Sequence, residues 1–145
     1  MHKKTLCIDV DGTLANSVVP WVKIVKNEYN IQKSVDDITA YSLDSIFGLD
    51  IVEVLEIFKR VWKDYKSIPT TDPNLPKVIK ELRRDFKIEI ITASVARDED
   101  LKNWLKENKI SYDAFIHLKN ESEKIGVEGD IFIDDNGTIV SEILK

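Results

Sequence analysis

Apolar residues recur along this chain in two patterns, as short unbroken runs and as longer stretches with apolar positions three or four residues apart. Short runs closed by polar residues or glycine are typical of buried strands, and periodic stretches are typical of helices that cover one face of a sheet. The runs predict strands at 6–10, 88–91, 114–117 and 131–133, and the periodic stretches predict helices at 20–29, 50–66, 77–85, 98–108 and 138–144.

In the second half of the chain, the predicted strands and helices alternate. Such alternation requires right-handed crossovers and indicates a parallel sheet. We therefore predict an α/β fold, a three-layer Rossmann-like parallel sheet. The stretch 16–67 interrupts the alternation after the first strand. We expect it to form a small helical cap, with 1–15 and 68–145 forming the core domain.

The composition is that of an ordered globular protein, with 43% hydrophobic and 32% charged residues in 145. This length suits one domain with a sizeable core. The net charge is −5 and the basic residues are dispersed. An acidic surface without a basic stripe argues against a stable nucleic-acid partner.

Cysteine content and hydropathy indicate where in the cell the protein is located. Cys7 is the one cysteine of the sequence, so an internal disulfide and a CxxC site are excluded. The first apolar run ends at Asp9, which is too early for a signal peptide, and no run approaches the ~20 apolar residues of a membrane span. We expect a cytoplasmic protein with no membrane association; its oligomeric state stays open.

Polar residues follow three of the predicted strands. Asp9 and Asp11 lie at the end of the first, Thr92 at the end of the second, and Asp134 and Asp135 at the end of the last. Ligands of open α/β sheets bind at the carboxyl ends of the strands. These five side chains should therefore converge.

Asp9-Val10-Asp11-Gly12 is the most informative segment. Of two carboxylates spaced in this way, one can bind metal and attack while the other transfers protons. Gly12 allows a sharp turn that brings backbone N–H groups toward an anion. A calcium EF-hand loop is excluded, because its required glycine and glutamate positions hold Leu14 and Pro20. An acidic turn that caps a helix is the alternative.

Asp134 and Asp135 are adjacent carboxylates at the end of an apolar strand. Their mutual repulsion favours a bound cation, and an all-oxygen ligand set favours Mg²⁺ over zinc or copper. The alternative is a pair of acidic helix caps before Thr138.

Thr92, Ala93 and Ser94 place two hydroxyls and a backbone N–H at the same edge. Such donors suit phosphate oxygens, although they are also common turn residues. Lys124 lies ten residues before Asp134 and could neutralise phosphoryl charge, with Lys119 as a competing candidate.

The order of these segments resembles the four signature motifs of the haloacid dehalogenase superfamily. The first motif is Asp9-x-Asp11-Gly-Thr13, and it is followed by Thr92, a lysine and Asp134-Asp135. The stretch 123–135 is similar to the small 5′(3′)-deoxyribonucleotidase family and its bacterial relatives. That alignment selects Lys124 over Lys119, and it implies a helical cap between the first two motifs.

The resemblance implies a phosphatase mechanism. Asp9 is then the nucleophile that forms an aspartyl-phosphate, and Asp11 donates a proton to the leaving oxygen and later activates water. Thr92 and Lys124 hold the remaining phosphate charge, with Ala93 and Ser94 beside them.

The resemblance also implies how Mg²⁺ is bound. Asp9, the backbone carbonyl of Asp11 and the carboxylate of Asp135 would be direct ligands. Asp134 would bind through water.

The implied substrate is a small phosphorylated metabolite, such as a (deoxy)nucleoside monophosphate. Tyr41, in a polar stretch of the cap, is the candidate for stacking on a base, while Trp62 and Tyr65 continue an apolar stripe and are expected in the core. The alternatives are a polynucleotide 3′-phosphatase and a non-catalytic binding module with the same fold.

Overall fold

Four parallel strands form a sheet in the order β3-β2-β1-β4 in the computed structural model, which describes residues 2–40 and 42–145. The strands are β1 (Lys4–Ile8), β2 (Phe86–Thr92), β3 (Ala114–His117) and β4 (Ile131–Ile133). The helices are α1 (Val18–Glu28), α2 (Leu43–Phe47), α3 (Ile51–Lys63), α4 (Leu75–Leu82), α5 (Asp98–Glu107) and α6 (Gly137–Ile143). Short 3₁₀ helices lie at Val35–Asp37, Tyr65–Ser67 and Glu121–Gly126.

β1 lies in the middle of the sheet, and its register sets the position of the polar strand ends. Ile8 pairs with Ile90 of β2 and with Ile133 of β4. Residues that follow Ile8 and Ile133 therefore leave the sheet side by side. The strand order reverses at β1, and such a reversal is the point where open α/β sheets bind ligands.

The central strand is buried on both faces, which explains its unbroken apolar run. Leu6, Cys7 and Ile8 are all buried. By contrast, β4 is an edge strand, and its Ile131 and Ile133 are partly exposed. Helices α4 and α5 contribute Ile79 and Leu101 to the core that covers the sheet.

Residues 16–67, called the inserted segment below, share one continuous apolar core with the sheet and its helices. The buried residues of α3 are Val54, Ile57, Val61 and Trp62. Val54, Val61 and Trp62 belong to the periodic stretch that predicted this helix, whereas Ile57 does not, and Leu55 of that stretch is exposed. Trp21 of α1 stacks on Phe58 of α3, with 5.6 Å between ring centroids.

The two connections between the inserted segment and the sheet run next to each other. Asn16 donates its backbone N–H to the carbonyl of Pro69 at 2.8 Å, and Thr71 donates to Leu14 at 2.9 Å. Ala15 and Thr70 form an antiparallel bridge between them. The inserted segment thus begins and ends at adjacent positions, which are joined by this single bridge.

The predicted α/β fold with a Rossmann-like parallel sheet is confirmed, and the predicted helices and strands are all present. The first strand is one correction, because it ends at Ile8 and not at Val10. Thr13, Leu14 and Ala15 all donate backbone N–H groups to the Val10 carbonyl, so the chain winds into a loop there. Helix α2 was not predicted, since five residues are too few to show a helical period. No helix within 2–40 and 42–145 has the length and apolar character needed to cross a bilayer.

Candidate active site

Asp9 emerges from the end of β1 into a buried position. Its backbone N–H donates to the Ile133 carbonyl at 2.9 Å, which continues the β1–β4 pairing by one residue. The side chain is 5% exposed, and Oδ1 accepts a hydrogen bond from Nζ of Lys124 at 3.0 Å. A carboxylate and an ammonium group are therefore held together beneath the surface.

Lys124 reaches this position from the 3₁₀ helix Glu121–Gly126 and is 2% exposed. Besides Asp9, its Nζ lies 2.7 Å from Oδ2 of Asp134 and 2.9 Å from Oε2 of Glu121. Burial works against the charge, but Asp9, Asp134 and Glu121 hold the pKa of Lys124 above its ordinary value. The ammonium has three N–H groups and is matched by three carboxylates. Sequence reasoning did not identify Glu121, which lies one helical turn before Lys124.

The carboxylates of the site outnumber its cation. Burial raises the pKa of Asp9 well above its ordinary value; Lys124 lowers it, and the charges of Asp134 and Asp135 raise it further. Burial also raises the pKa of Asp135 to about 6, with Asp134 adding to the effect. A second positive charge would relieve this repulsion.

The donor set fits a divalent metal. Asp9, Asp134 and Asp135 each present an oxygen atom, and the three atoms lie within 4.8 Å of one another. Hard carboxylate oxygens are the ligands that Mg²⁺ prefers. The carboxylate of Asp11 is not a member of this group of three.

Gly12 is required by the position of Asp135. Its φ is +78°, and a β-carbon at this residue would stand 2.1 Å from Oδ2 of Asp135. Any side chain here would therefore force the Asp135 carboxylate or the loop after β1 to shift. The absence of a side chain at residue 12 leaves room for this carboxylate beside the loop.

Asp11 is held apart from the other acids by two donors. Oδ1 of Asp11 accepts from Oγ of Ser17 at 2.7 Å and from Nε1 of Trp62 at 2.9 Å. Trp62 is 1% exposed, as its place on the apolar stripe predicted. The hydrogen bond to Asp11 was missed, because periodicity indicates burial but carries no information about the partner of an indole N–H.

Thr92 is the last residue of β2, and Ser94 lies in the loop that follows, which is fixed by its own hydrogen bonds. Oγ1 of Thr92 accepts from the Ser94 N–H at 3.1 Å, and Oγ of Ser94 accepts from the Ala96 N–H at 3.2 Å. Each hydroxyl keeps its own hydrogen for donation. His117 Nε2 donates to the Ser94 carbonyl at 2.7 Å, a brace that the sequence did not reveal.

A cavity of about 640 Å³ lies between the inserted segment and these loops. Asp11, Gly12 and Asp135 contribute to its lining, with Ala93 and Ser94 beside them. The opposite wall is apolar and comes from α3, with Val54, Leu55 and Phe58. The cavity thus joins a polar side with carboxylates to an apolar side to which, among the described residues, Phe58 contributes an aromatic ring.

The predicted site residues divide into three groups by position. The first comprises Asp9, Lys124, Asp134 and Asp135, which cluster at the ends of β1 and β4, with Asp135 also lining the cavity. The second comprises Asp11, Ala93 and Ser94 on the cavity, with Thr92 buried beside Ser94. The third is Tyr41, which lies outside the described residues. Lys119, the alternative to Lys124, is exposed.

Comparison with known families gives a match over residues 3–143 to the family described as 5′ nucleotidase, deoxy (pyrimidine), cytosolic type C protein. A 5′(3′)-deoxyribonucleotidase of Clostridium acetobutylicum is 30% identical over 146 residues, covering 94% of this chain and 75% of the relative. A nucleotidase of the same organism is 24% identical over 153 residues, covering all of this chain and 77% of the relative.

Solved structures share the fold. A haloacid dehalogenase-like hydrolase of Streptococcus pneumoniae superposes with a TM-score of 0.68 at 16% identity, covering 98% of this chain and 80% of that one. A haloacid dehalogenase-superfamily hydrolase of Geobacter sulfurreducens gives a TM-score of 0.58 at 11% identity, covering 98% and 82%. The resemblance predicted from the motifs is confirmed, and the protein is a phosphomonoester hydrolase of the haloacid dehalogenase type. The chain belongs to the cytosolic type C deoxy-5′-nucleotidase family.

Proposed function

We propose that this protein is a Mg²⁺-dependent phosphatase of deoxynucleoside monophosphates that works through an aspartyl-phosphate on Asp9. The observation that carries the proposal is the arrangement of two acids with different surroundings. Asp9 is buried against Lys124, whereas Asp11, two residues later, is bonded to neutral donors and faces the cavity. One acid is thus suited to attack and the other to proton transfer.

In the first step, a carboxylate oxygen of Asp9 attacks the phosphorus atom. A bond forms from Asp9 to phosphorus, the bond from phosphorus to the leaving oxygen breaks, and the proton of Asp11 passes to that oxygen. The nucleoside leaves as a neutral alcohol. In the proposal, Lys124 and the hydroxyl of Thr92 stabilise the phosphoryl oxygens as their charge shifts.

In the second step, a water molecule attacks the phosphorus of the aspartyl-phosphate. Asp11, now a carboxylate, accepts the proton of this water, and the bond between Asp9 and phosphorus breaks. Inorganic phosphate is released and both acids return to their starting states.

Asp9, Asp134 and Asp135, together with the backbone carbonyl of Asp11, would hold the magnesium ion. When bound, the ion supplies positive charge that keeps the Asp9 carboxylate ionised and offsets the charge of the phosphoryl group. Two observations support this part of the proposal: the three carboxylate oxygens lie within 4.8 Å of one another, and burial together with mutual repulsion raises the pKa values of Asp9 and Asp135.

The substrate is inferred from the cavity and from the relatives. In the proposal the inserted segment 16–67 is the cap of the enzyme, and its apolar wall receives the base. Phe58 offers an aromatic face on that wall. The two Clostridium acetobutylicum relatives carry the names nucleotidase and 5′(3′)-deoxyribonucleotidase, and a cytoplasmic location suits such a substrate.

A polynucleotide end is a poorer fit than a mononucleotide. The inserted segment covers one side of the cavity, and Asp44 and Glu121 add carboxylates to its lining. These charges would repel the phosphates of the adjoining nucleotides.

Phosphate release from a panel of monophosphates, with and without Mg²⁺, tests the proposal. The panel contains deoxynucleoside 5′- and 3′-monophosphates, ribonucleotides, sugar phosphates and p-nitrophenyl phosphate. We expect the highest kcat/KM for a deoxynucleoside monophosphate, in the presence of Mg²⁺ only. A clear preference for sugar phosphates would contradict the substrate assignment, and full activity in excess chelator would contradict the metal assignment.

A further inference from the structure

Two donors from different parts of the chain converge on one oxygen of Asp11. Oγ of Ser17 lies 2.7 Å and Nε1 of Trp62 lies 2.9 Å from the same Oδ1 atom. An indole N–H can only donate, so Oδ1 serves as an acceptor. Both donors therefore occupy Oδ1, and neither of them bonds to Oδ2.

The ring of Trp62 is itself held in place by a second tryptophan. Its ring meets the ring of Trp104, on α5, edge to face with 6.0 Å between centroids. Nε1 of Trp104 donates to the carbonyl of Ile68 at 2.9 Å, where the chain returns from the inserted segment. The Trp62 indole therefore bridges the end of α3 and the loop after β1 that carries Asp11, and it has little freedom to move.

We propose that Trp62 is a positioning residue for the phosphatase reaction. Its N–H holds Asp11 so that the protonated oxygen faces the cavity, and proton transfer to the leaving group then requires the inserted segment to be in place. This inference rests on the proposed function, because it takes Asp11 as the general acid.

Trp62 belongs to α3, the helix whose residues Val54, Leu55 and Phe58 also line the cavity. One helix therefore supplies both a wall for the substrate and a donor to the proposed general acid.

Substrates with different leaving groups can distinguish a positioning role of Trp62 from a packing role. A nucleoside leaves as an alkoxide and needs the proton of Asp11, whereas p-nitrophenolate is a stable anion and needs it far less. The quantity kcat/KM covers the steps up to departure of the leaving group. If Trp62 positions Asp11, its substitution should lower kcat/KM by different factors for the two substrates. If Trp62 serves only in packing, the two factors should be equal.

The test compares Trp62→Phe with Trp104→Phe. Both remove one indole N–H at the same buried junction, but only the first removes a bond to Asp11. For Trp62→Phe we expect kcat/KM for a deoxynucleoside monophosphate to fall about tenfold, the size of one lost hydrogen bond, and the loss on p-nitrophenyl phosphate to be several times smaller. Trp104→Phe should change both substrates in the same proportion.

A second readout uses Asp11→Asn, which removes the acid. In that background Trp62→Phe should cause no further leaving-group-dependent loss, since the group that it positions is gone. If Trp62→Phe does not fold, Ser17→Ala removes the other donor to the same oxygen and must show the same dependence on leaving group.

Equal losses on both substrates for Trp62→Phe, or the same selectivity for Trp104→Phe, would overturn the inference. In either case a normal rate for the unmodified enzyme would leave the proposed function standing. If the unmodified enzyme prefers another alkyl phosphate, that substrate takes the place of the nucleotide in the comparison. Failure to hydrolyse any monophosphate would overturn the proposed function and this inference with it.

Discussion

Gly12 and Asp135 approach each other so closely that a β-carbon on residue 12 would lie 2.1 Å from Oδ2 of Asp135. The two residues come from opposite ends of the sequence and meet because β1 and β4 are register partners. The contact fixes where one of the three clustered carboxylates can stand, and it provides the first prediction.

Gly12→Ala should displace the Asp135 carboxylate and weaken Mg²⁺ binding, with a corresponding fall in kcat/KM at limiting Mg²⁺. Gly48→Ala is the matched control, because Gly48 also has a positive φ of +66°, but a β-carbon there would meet no other group of the described residues within 4 Å. Both variants carry a backbone strain of about 1 kcal/mol. Calorimetric titration with Mg²⁺ checks the prediction, and equal affinities for the two variants would contradict it.

Asp9→Asn should reduce kcat by at least about a thousandfold, since an amide cannot attack phosphorus. The substitution keeps the shape of the side chain, and Lys124 retains Asp134 and Glu121 as partners. Thermal unfolding should therefore show a folded protein. Turnover of a good substrate near the rate of the unmodified enzyme would exclude the covalent mechanism on Asp9.

Removal of metal should abolish phosphate release, and addition of Mg²⁺ should restore it. Asp135→Ala should weaken Mg²⁺ binding more than Asp134→Ala, because Asp134 is also bonded to Lys124 and to the Asn136 N–H. Both constants can be measured by titration calorimetry. Equal weakening would show that the two acids share the role of ligand.

The stability of the metal-free protein should carry a pH dependence from Asp135. Its pKa is about 6 in the folded protein against a reference value of 3.8. Between these values the folded state binds more protons than the unfolded state, so the contribution of Asp135 to stability falls as the pH rises.

Asp135→Asn lacks this contribution. Denaturant unfolding in excess chelator should therefore show that the free energy of unfolding of the variant increases relative to that of the unmodified protein as the pH rises from about 4 to about 7. Protons also compete with metal for the same carboxylate, so Mg²⁺ affinity should weaken below about pH 6. A stability difference that is constant across this range would contradict the assignment.

Phe58→Ala should raise KM for a deoxynucleoside monophosphate more than KM for p-nitrophenyl phosphate, because the nucleotide loses a stacking partner. Leu55→Ala is the control, since Leu55 lines the same wall without a ring. Similar effects of the two variants on the nucleotide would assign the wall a general apolar role and exclude stacking on Phe58.

Much of the fold could be predicted because strand and helix patterns are local. The unbroken run of Leu6 to Ile8 and the periodic positions Val54 and Val61 were both predicted from sequence, and these residues are buried. The convergence of Asp9 with Asp134 was predicted from a rule about strand ends, and the register of Ile8 with Ile133 supplies its geometry.

The contacts that orient the site were not visible in the sequence. Trp62 was identified as an apolar residue, but its N–H bond to Asp11 depends on how α3 lies against the loop after β1. The brace from His117 to the Ser94 carbonyl depends in the same way on the pairing of β2 with β3. Such contacts are set by tertiary packing, which no local pattern encodes.

The paired connections at Ala15 and Thr70 have a consequence for how this protein could diversify. Because the inserted segment leaves and re-enters the sheet at adjacent positions, its length and sequence can change without shifting any strand. Selection for a new substrate can therefore act on residues 16–67 while the reaction chemistry stays intact. Trp62 limits that freedom, since any replacement segment must again supply a donor to Asp11.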